Sequence, residues 1–297
     1  KTVTPGLIDS HTHLVHGGSR ENELDMKLNG VTYLEILERG GGIMSTLKQT
    51  KEMSEDELFE QAKKSVERLI SYGVTTIEAK TGYGIDDFDT EMKQLNVADR
   101  LGKELPVDIV KTFMAAHAIP EKYKSNPGEF IDIVINDYLP KIEADGRCKF
   151  CDVFCEKGVF NAEDSKRLLE AAKKHGLTPK IHADEIEEIG GTKTAADVRA
   201  ISAEHLIKCS EKGVDELKEG GVIANLLPGT SLNMGDGIFA PARLMIEKEV
   251  PIAISTDYNP GSCPTENIQL CMYLACLNMK MTPAEALVGV TINAACA

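Results

Sequence analysis

Two histidines separated by one residue, His11 and His13, follow a largely apolar run from Val3 to Ile8. Read as a buried strand, that run has a side-chain period of two, so both imidazoles fall on one side and can grip one ion. With an ordinary pKa near ~6.5, an imidazole is mostly neutral at neutral pH, and the neutral ring is the metal-binding form. Further polar residues end later strand-like stretches: His182 after Pro179-Lys180-Ile181, His205 after Ala200 to Glu204, and Asp257 after Pro251 to Thr256. A lone histidine is more often a packing or surface residue than a ligand, but four strands ending this way make coincidence a poor account. His11, His13, His182 and Asp257 supply three nitrogens and an oxygen. That set suits a divalent transition metal with a position open for water, not calcium or magnesium, which prefer oxygen shells. A metal so held lowers the pKa of water from ~15.7 toward ~7, so the expected reaction class is hydrolysis.

Strands must bring these residues to one place. Besides the opening run, strand-like stretches occupy Val74 to Ile77, Val107 to Val110 (leading to His117), Phe150 to Phe154, Pro179 to His182, Ala200 to His205, Val222 to Leu227 and Pro251 to Asp257. Between them lie helical signals. Ser54-Glu55-Asp56-Glu57 is a capping box, followed by Leu58, Ala62, Val66, Leu69 and Ile70 at helical spacing up to Gly73. Met92, Leu95 and Leu101 mark a helix running to Gly102, Asn126-Pro127 opens another, and Asn161 to His175 forms a third, closed by Gly176. A mixed helical stretch surrounds Tyr33, Leu34, Ile36 and Leu37, and Gly40-Gly41-Gly42 reads as a loose turn. Repeated strand-then-helix units imply parallel strands, and eight of them in 297 residues predict an α/β fold, a (β/α)8 TIM-type barrel. A Gly-rich dinucleotide fingerprint after the first strand is missing, which argues against an open doubly wound sheet. No linker divides the chain, so residues 1–297 are expected to form one barrel domain, with its site at the carboxyl ends of the strands.

A formal net charge of −14 would repel phosphate backbones and anionic membranes, so neither nucleic acid nor a membrane is an expected partner. With no long apolar run and no signal-peptide pattern, the expected location is the cytoplasm. The eight cysteines are scattered, and packed reduced thiols are expected; Cys148-x-x-Cys151 with Cys155 lacks the second pair of a metal corner.

The chain resembles the amidohydrolase superfamily, and within it the members that open 4-imidazolone-5-propanoate to N-formimidoyl-L-glutamate in histidine degradation. The resemblance is carried by Pro5 to His16 with Arg20, Glu78-Ala79-Lys80-Thr81-Gly82-Tyr83-Gly84, Thr112 to His117, His182-Ala183-Asp184-Glu185, Ser202 to His205, and Ser255 to Ser262. It implies one Zn²⁺ or Fe ion on His11, His13, His182 and Asp257. It also implies that Glu185 assists water, that Asp257 shuttles a proton to the departing nitrogen, and that His205 polarises the oxyanion. Arg20 then binds the propanoate, and Tyr83, His117, Glu185, Asn259, Gly261 and Ser262 complete the substrate site. Ser262 stands where some members carry Thr. His16 and His175 fall outside this set, the first as packing behind the site and the second at a helix end. A homodimer is also implied, as is a small β-sandwich flanking the barrel, which is expected to be absent or truncated in this chain.

Two other readings are open: a cytosine or guanine deaminase of the same group, and a catalytically inactive barrel serving as a binding protein. A second ion recruited by Glu156 or Lys157 is left undecided by the sequence.

Overall fold

In the computed structural model, residues 3–31, 35 and 41–297 are described. The expected helical positions Tyr33, Leu34, Ile36 and Leu37, and Gly40 of the expected turn, lie outside the described residues.

Eight strands form the sheet: β1 (Leu7–Thr12), β2 (Val74–Lys80), β3 (Asp108–Ala116), β4 (Cys148–Cys155), β5 (Thr178–Ala183), β6 (Ser202–His205), β7 (Ile223–Leu226) and β8 (Ile252–Ile254). They pair in sequence order, every neighbour parallel. The ends of the series meet where Asp257 N–H donates to His11 O (3.0 Å) and His13 N–H donates to Tyr258 O (2.9 Å). The fold is therefore a nearly closed TIM-type barrel with helices between its strands.

The first strand begins later than the apolar run suggests. Val3 is 92% exposed, and the ladder starts only at Leu7, because Pro5 has no N–H to give and Gly6 lies so close to Thr75 that any Cβ there would collide with it. His11 thus lies within β1 and His13 just past its end.

The helix over Glu55–Ser71 starts at the reciprocal Ser54–Glu57 cap and buries Leu58, Phe59, Ala62, Val66 and Leu69. That over Phe88–Glu104 passes Gly102 and stops before Pro106, since Gly102 packs in ordinary contact with Ile109 and does not take the left-handed conformation of a helix stop. Ala162–Lys174 is capped by Asn161 Oδ1, which accepts from Asp164 N–H at 2.9 Å. No helix among the described residues is long and apolar enough to cross a membrane. All eight cysteines are free thiols; five are buried, Cys148 and Cys276 are partly exposed, and Cys296 is exposed, so packing accounts for only part of the set.

The apolar core, with Val66, Leu69, Leu95 and Leu101 of the helices and Ile77 of β2 in one buried cluster, lies between sheet and helices, whereas the barrel axis is occupied by charge. Lys180 on β5 donates to Glu78 on β2 at 3.0 Å, a contact that crosses the interior because these strands are not neighbours. Lys80 bridges Glu78 (3.0 Å) and Asp152 (2.8 Å), and all of these groups are buried. Burying so many ions is costly unless each is paired, and here each has a partner of opposite sign.

Candidate active site

The interior ions reach the strand ends through two carboxylates. Glu204 Oε2 accepts from His11 Nδ1 at 2.8 Å, and Asp152 accepts from His182 Nδ1 at 3.1 Å. Each bond fixes a tautomer and turns the opposite nitrogen, Nε2, toward the barrel mouth, the usual way in which a carboxylate prepares a histidine for a cation. Both Nε2 atoms are buried and without a hydrogen-bond partner, as are His13 Nδ1, His205 Nδ1 and Asp257 Oδ1. Asp257 Oδ1 lies 3.3 Å from His11 Nε2 and 3.7 Å from His13 Nε2, while Thr230 holds the other carboxylate oxygen.

Two donor triplets result, each with its ligand atoms within 4.8 Å of one another: His11 with His13 and Asp257, and His11 with His182 and His205. So many orphaned buried donors around one point fit a transition metal and would be costly without one. The second triplet places His205, read from sequence as an oxyanion partner, beside the nitrogens expected to bind metal.

Burial holds His11, His13 and His205 well below the usual histidine range, aided by Lys80 and by neighbouring imidazoles, so all three are neutral and competent as ligands. Burial pushes the Asp257 carboxyl up to about 6 and, with the charges of Asp257 and Glu156, pushes Glu185 up to about 8. Backbone strain collects here as well: Asp184, His205, Leu206 and Asp257 all take positive φ, which for residues with a side chain costs on the order of 1–3 kcal/mol each.

The remaining expected residues surround this centre. Glu185 Oε2 is 3.6 Å from His205 Nε2. His117 stacks on His13, centroids 4.6 Å apart and planes 9° apart, and its Nδ1 is held by Gly82 O at 3.1 Å. Tyr83 is buried with its ring 5.9 Å from His13 and 5.5 Å from His117. Arg20 turns its Nε and Nη2 toward Glu23 (2.8–3.0 Å) and lies close against Gly261, where any Cβ would strike the guanidinium. In the loop after β8, Asn259 Oδ1 accepts from Gly261 N–H (2.8 Å) and Ser262 N–H (2.7 Å), and its Nδ2 donates to Ser262 Oγ (2.8 Å). These groups, expected to face substrate, thus satisfy one another and stiffen the loop on which Arg20 rests. His16 is buried behind His13, its Nδ1 donating to His13 O at 3.0 Å, and His175 caps a helix end beside Glu143. Glu156 is wholly engaged by backbone N–H groups, and Lys157 pairs with Glu187 at the surface, so neither offers a second ion a place.

Sequence reasoning passes over Asp152, Lys180, Thr230, Glu91 and Gln94. Glu91 accepts from Gly82 (3.0 Å), Gly84 (2.7 Å) and Ile85 N–H (2.6 Å), and Gln94 accepts from Tyr83 N–H (3.1 Å), so one helix templates the loop that carries Tyr83. The available signal is alternation: Glu78/Lys80, Lys180/His182 and Ser202/Glu204 place polar residues two apart in otherwise apolar strands, on one face.

A profile described as the Amidohydrolase family matches residues 2–297. A protein of Alkaliphilus metalliredigens (strain QYMF) named imidazolonepropionase is 58% identical over 297 residues, covering 100% of this chain and 70% of its own length. A protein of Streptococcus pyogenes serotype M49 (strain NZ131) with the same name is 51% identical over 295 residues, covering 99% of this chain and 70% of its own. Among solved structures, the 5-methylcytosine deaminase of Klebsiella pneumoniae liganded with phosphonocytosine superposes with a TM-score of 0.74 at 16% identity, covering 98% of this chain and 74% of that one. At that identity the likeness speaks to the fold alone.

Proposed function

The chain belongs to the amidohydrolase family and, within it, to the imidazolonepropionases, and from that membership we propose that it hydrolyses the carbon–nitrogen bond of a cyclic amide, opening 4-imidazolone-5-propanoate to N-formimidoyl-L-glutamate in histidine degradation. The observation that carries this reading is the 58% identity extending over all 297 residues.

The family is metal-dependent, and His11, His13, His182 and Asp257 would hold one divalent transition metal, zinc or iron. A metal held by these residues would supply the chemistry of an acidified water and a polarised ring carbonyl. The chain's own groups do the rest. Glu185, whose carboxyl is pushed up to about 8 by burial, places the attacking water from its position beside His205. Asp257 takes the proton of that water and passes it to the departing ring nitrogen. His205, kept neutral by burial, retains an N–H to offer the developing oxyanion. Arg20 Nη1, which lies against Gly261, makes no hydrogen bond among the described residues, so it takes the propanoate while Glu23 holds Nε and Nη2. Tyr83 and His117 wall the ring in, and the Asn259–Ser262 loop sets the floor under Arg20.

A nucleobase deaminase on the same barrel has no acid tail to offer Arg20, and an inactive binding barrel would have no reason to keep these donors unpaired. The test is elemental analysis of the purified chain combined with a turnover assay on imidazolonepropanoate. Arg20→Ala should raise KM at least tenfold, the equivalent of about 1.4 kcal/mol of lost carboxylate binding, with metal content unchanged. Unaltered kinetics would remove Arg20 from the site, and ammonia released from cytosine or guanine would favour the deaminase reading.

A further inference from the structure

Glu156 follows the last residue of β4 and is 1% exposed. It touches none of the metal-facing donors. Its carboxylate instead collects four backbone N–H groups: Glu185 (3.0 Å) and Ile186 (2.9 Å) on Oε2, Glu187 (3.0 Å) and its own neighbour Lys157 (2.7 Å) on Oε1. No cation pairs with it among the described residues, so these N–H groups alone compensate its charge.

Two features make this a device rather than a chance contact. Asp184 takes φ +53°, which turns the chain sharply after β5 and lets three successive N–H groups converge on one point, an anion-binding nest closed by a side chain of the same protein. Glu156 is itself fixed from behind: its N–H donates to Phe160 O at 3.1 Å, and its carbonyl accepts from Val159 N–H at 2.9 Å. The first residue of the nest is Glu185, whose side chain reaches to 3.6 Å from His205. Removing the carboxylate would leave the backbone under Glu185 with three N–H groups unsatisfied and no reason to hold its turn.

We propose that Glu156 is the positioning residue of the reaction, holding the loop after β5 so that Glu185 stays aimed at the attacking water. The proposal rests on the role given to Glu185 above. Glu156→Gln presents an amide N–H₂ to two of the four donors and so breaks half the nest while keeping size and polarity.

The experiment compares the full chain with Glu156→Gln, Glu185→Gln and the double variant. Expected for Glu156→Gln is a kcat lower by about 10–100-fold, the usual effect of losing a supporting shell, with KM within about threefold and metal content unchanged. In the Glu185→Gln background the same substitution should have no further effect, because Glu156 acts only through Glu185; a further full loss there overturns the proposal. Amide exchange provides the reading that needs no substrate. The N–H groups of Glu185, Ile186 and Glu187 should be protected like strand amides in the unaltered chain and lose that protection selectively in Glu156→Gln. Exchange at open-loop rates in the unaltered chain overturns the proposal even if the variant fails to fold. Protected amides in a chain that does not turn over imidazolonepropanoate would instead overturn the substrate assignment and leave the positioning intact.

Discussion

Asp184 sits between a metal-facing histidine and the proposed water-handling glutamate, yet neither of its carboxylate oxygens has a hydrogen-bond partner. Burial, with Glu188, Glu156 and Glu216 near it, pushes its carboxyl from 3.8 up to about 7. The unfolded chain releases this proton near 3.8 and the folded chain only near 7, so between those values folding takes up a proton. The group's stabilising contribution is therefore complete below the lower value and lost as pH rises through the upper one. Asparagine carries no such proton. Asp184→Asn should match the wild type in urea midpoint near pH 4 and exceed it at pH 8. A midpoint difference that is the same at both pH values would show that this carboxyl is not held protonated. The neutral histidines at the donor set have the opposite dependence, which is why the single substitution, and not the wild-type profile, isolates Asp184.

At the scale of elements, three loops at the proposed site are set by side chains that bind their backbone: Glu91 and Gln94 of the following helix for the loop after β2, Glu156 beside β4 for that after β5, and Asn259 from within the loop for that after β8. Gly261 shows what this means for a residue expected to donate its N–H to substrate. That N–H is spent on Asn259, and what distinguishes the position is its missing Cβ, which lets the Arg20 guanidinium lie on the backbone. Gly261→Ala keeps the N–H and adds the methyl, so it should displace Arg20 and raise KM about tenfold with little change in kcat; an unchanged KM would show that Arg20 is placed by Glu23 alone. This division also explains what the sequence makes legible. His11, His13, His182 and Asp257 stand out because their residue types and their places at strand ends are unusual together, and the strand–helix alternation gives the barrel. Asp152 and Lys180 do not stand out, since a single polar residue within a strand is equally readable as its solvent face until closure turns that face inward. Glu91 and Glu156 are harder still: glutamates on a helix or at a strand end are common, and only the approach of distant backbone N–H groups gives them a role. A helix end is misplaced where glycine is read as a stop, as at Gly102, and the start of β1 where hydrophobicity outweighs the missing N–H of Pro5.

Across the whole molecule, the donor set ties together parts of the chain that are remote in sequence: β1, β5 and the segment just past β8. Strands β1 and β8 are also the pair that must meet for the barrel to close, and they do so with few ladder bonds beyond those of His13 and Asp257. A cation shared by His11, His13 and Asp257 would thus act as a clasp on the seam, and one also reaching His182 would tie the seam to the opposite wall. Because the unfolded chain cannot assemble this set, binding free energy is transferred to folding. At a metal concentration about a hundredfold above Kd the gain is about 2.7 kcal/mol. In a chain of this size each kcal/mol moves Tm by about 2 °C, so saturating chelator should lower Tm by roughly 5 °C and zinc or iron should restore it. The neutral state of His11 and His13 means that the emptied site carries little cationic repulsion, so the loss should be that of the clasp and not of a collapsing charge cluster. His13→Ala should show the smaller Tm of the chelated protein with or without chelator. If chelation leaves the Tm of the wild-type chain unmoved, the seam is held without a cation, by its backbone bonds and by the side-chain bonds of Asp9 with Thr256 and of Ser10 with Ser255.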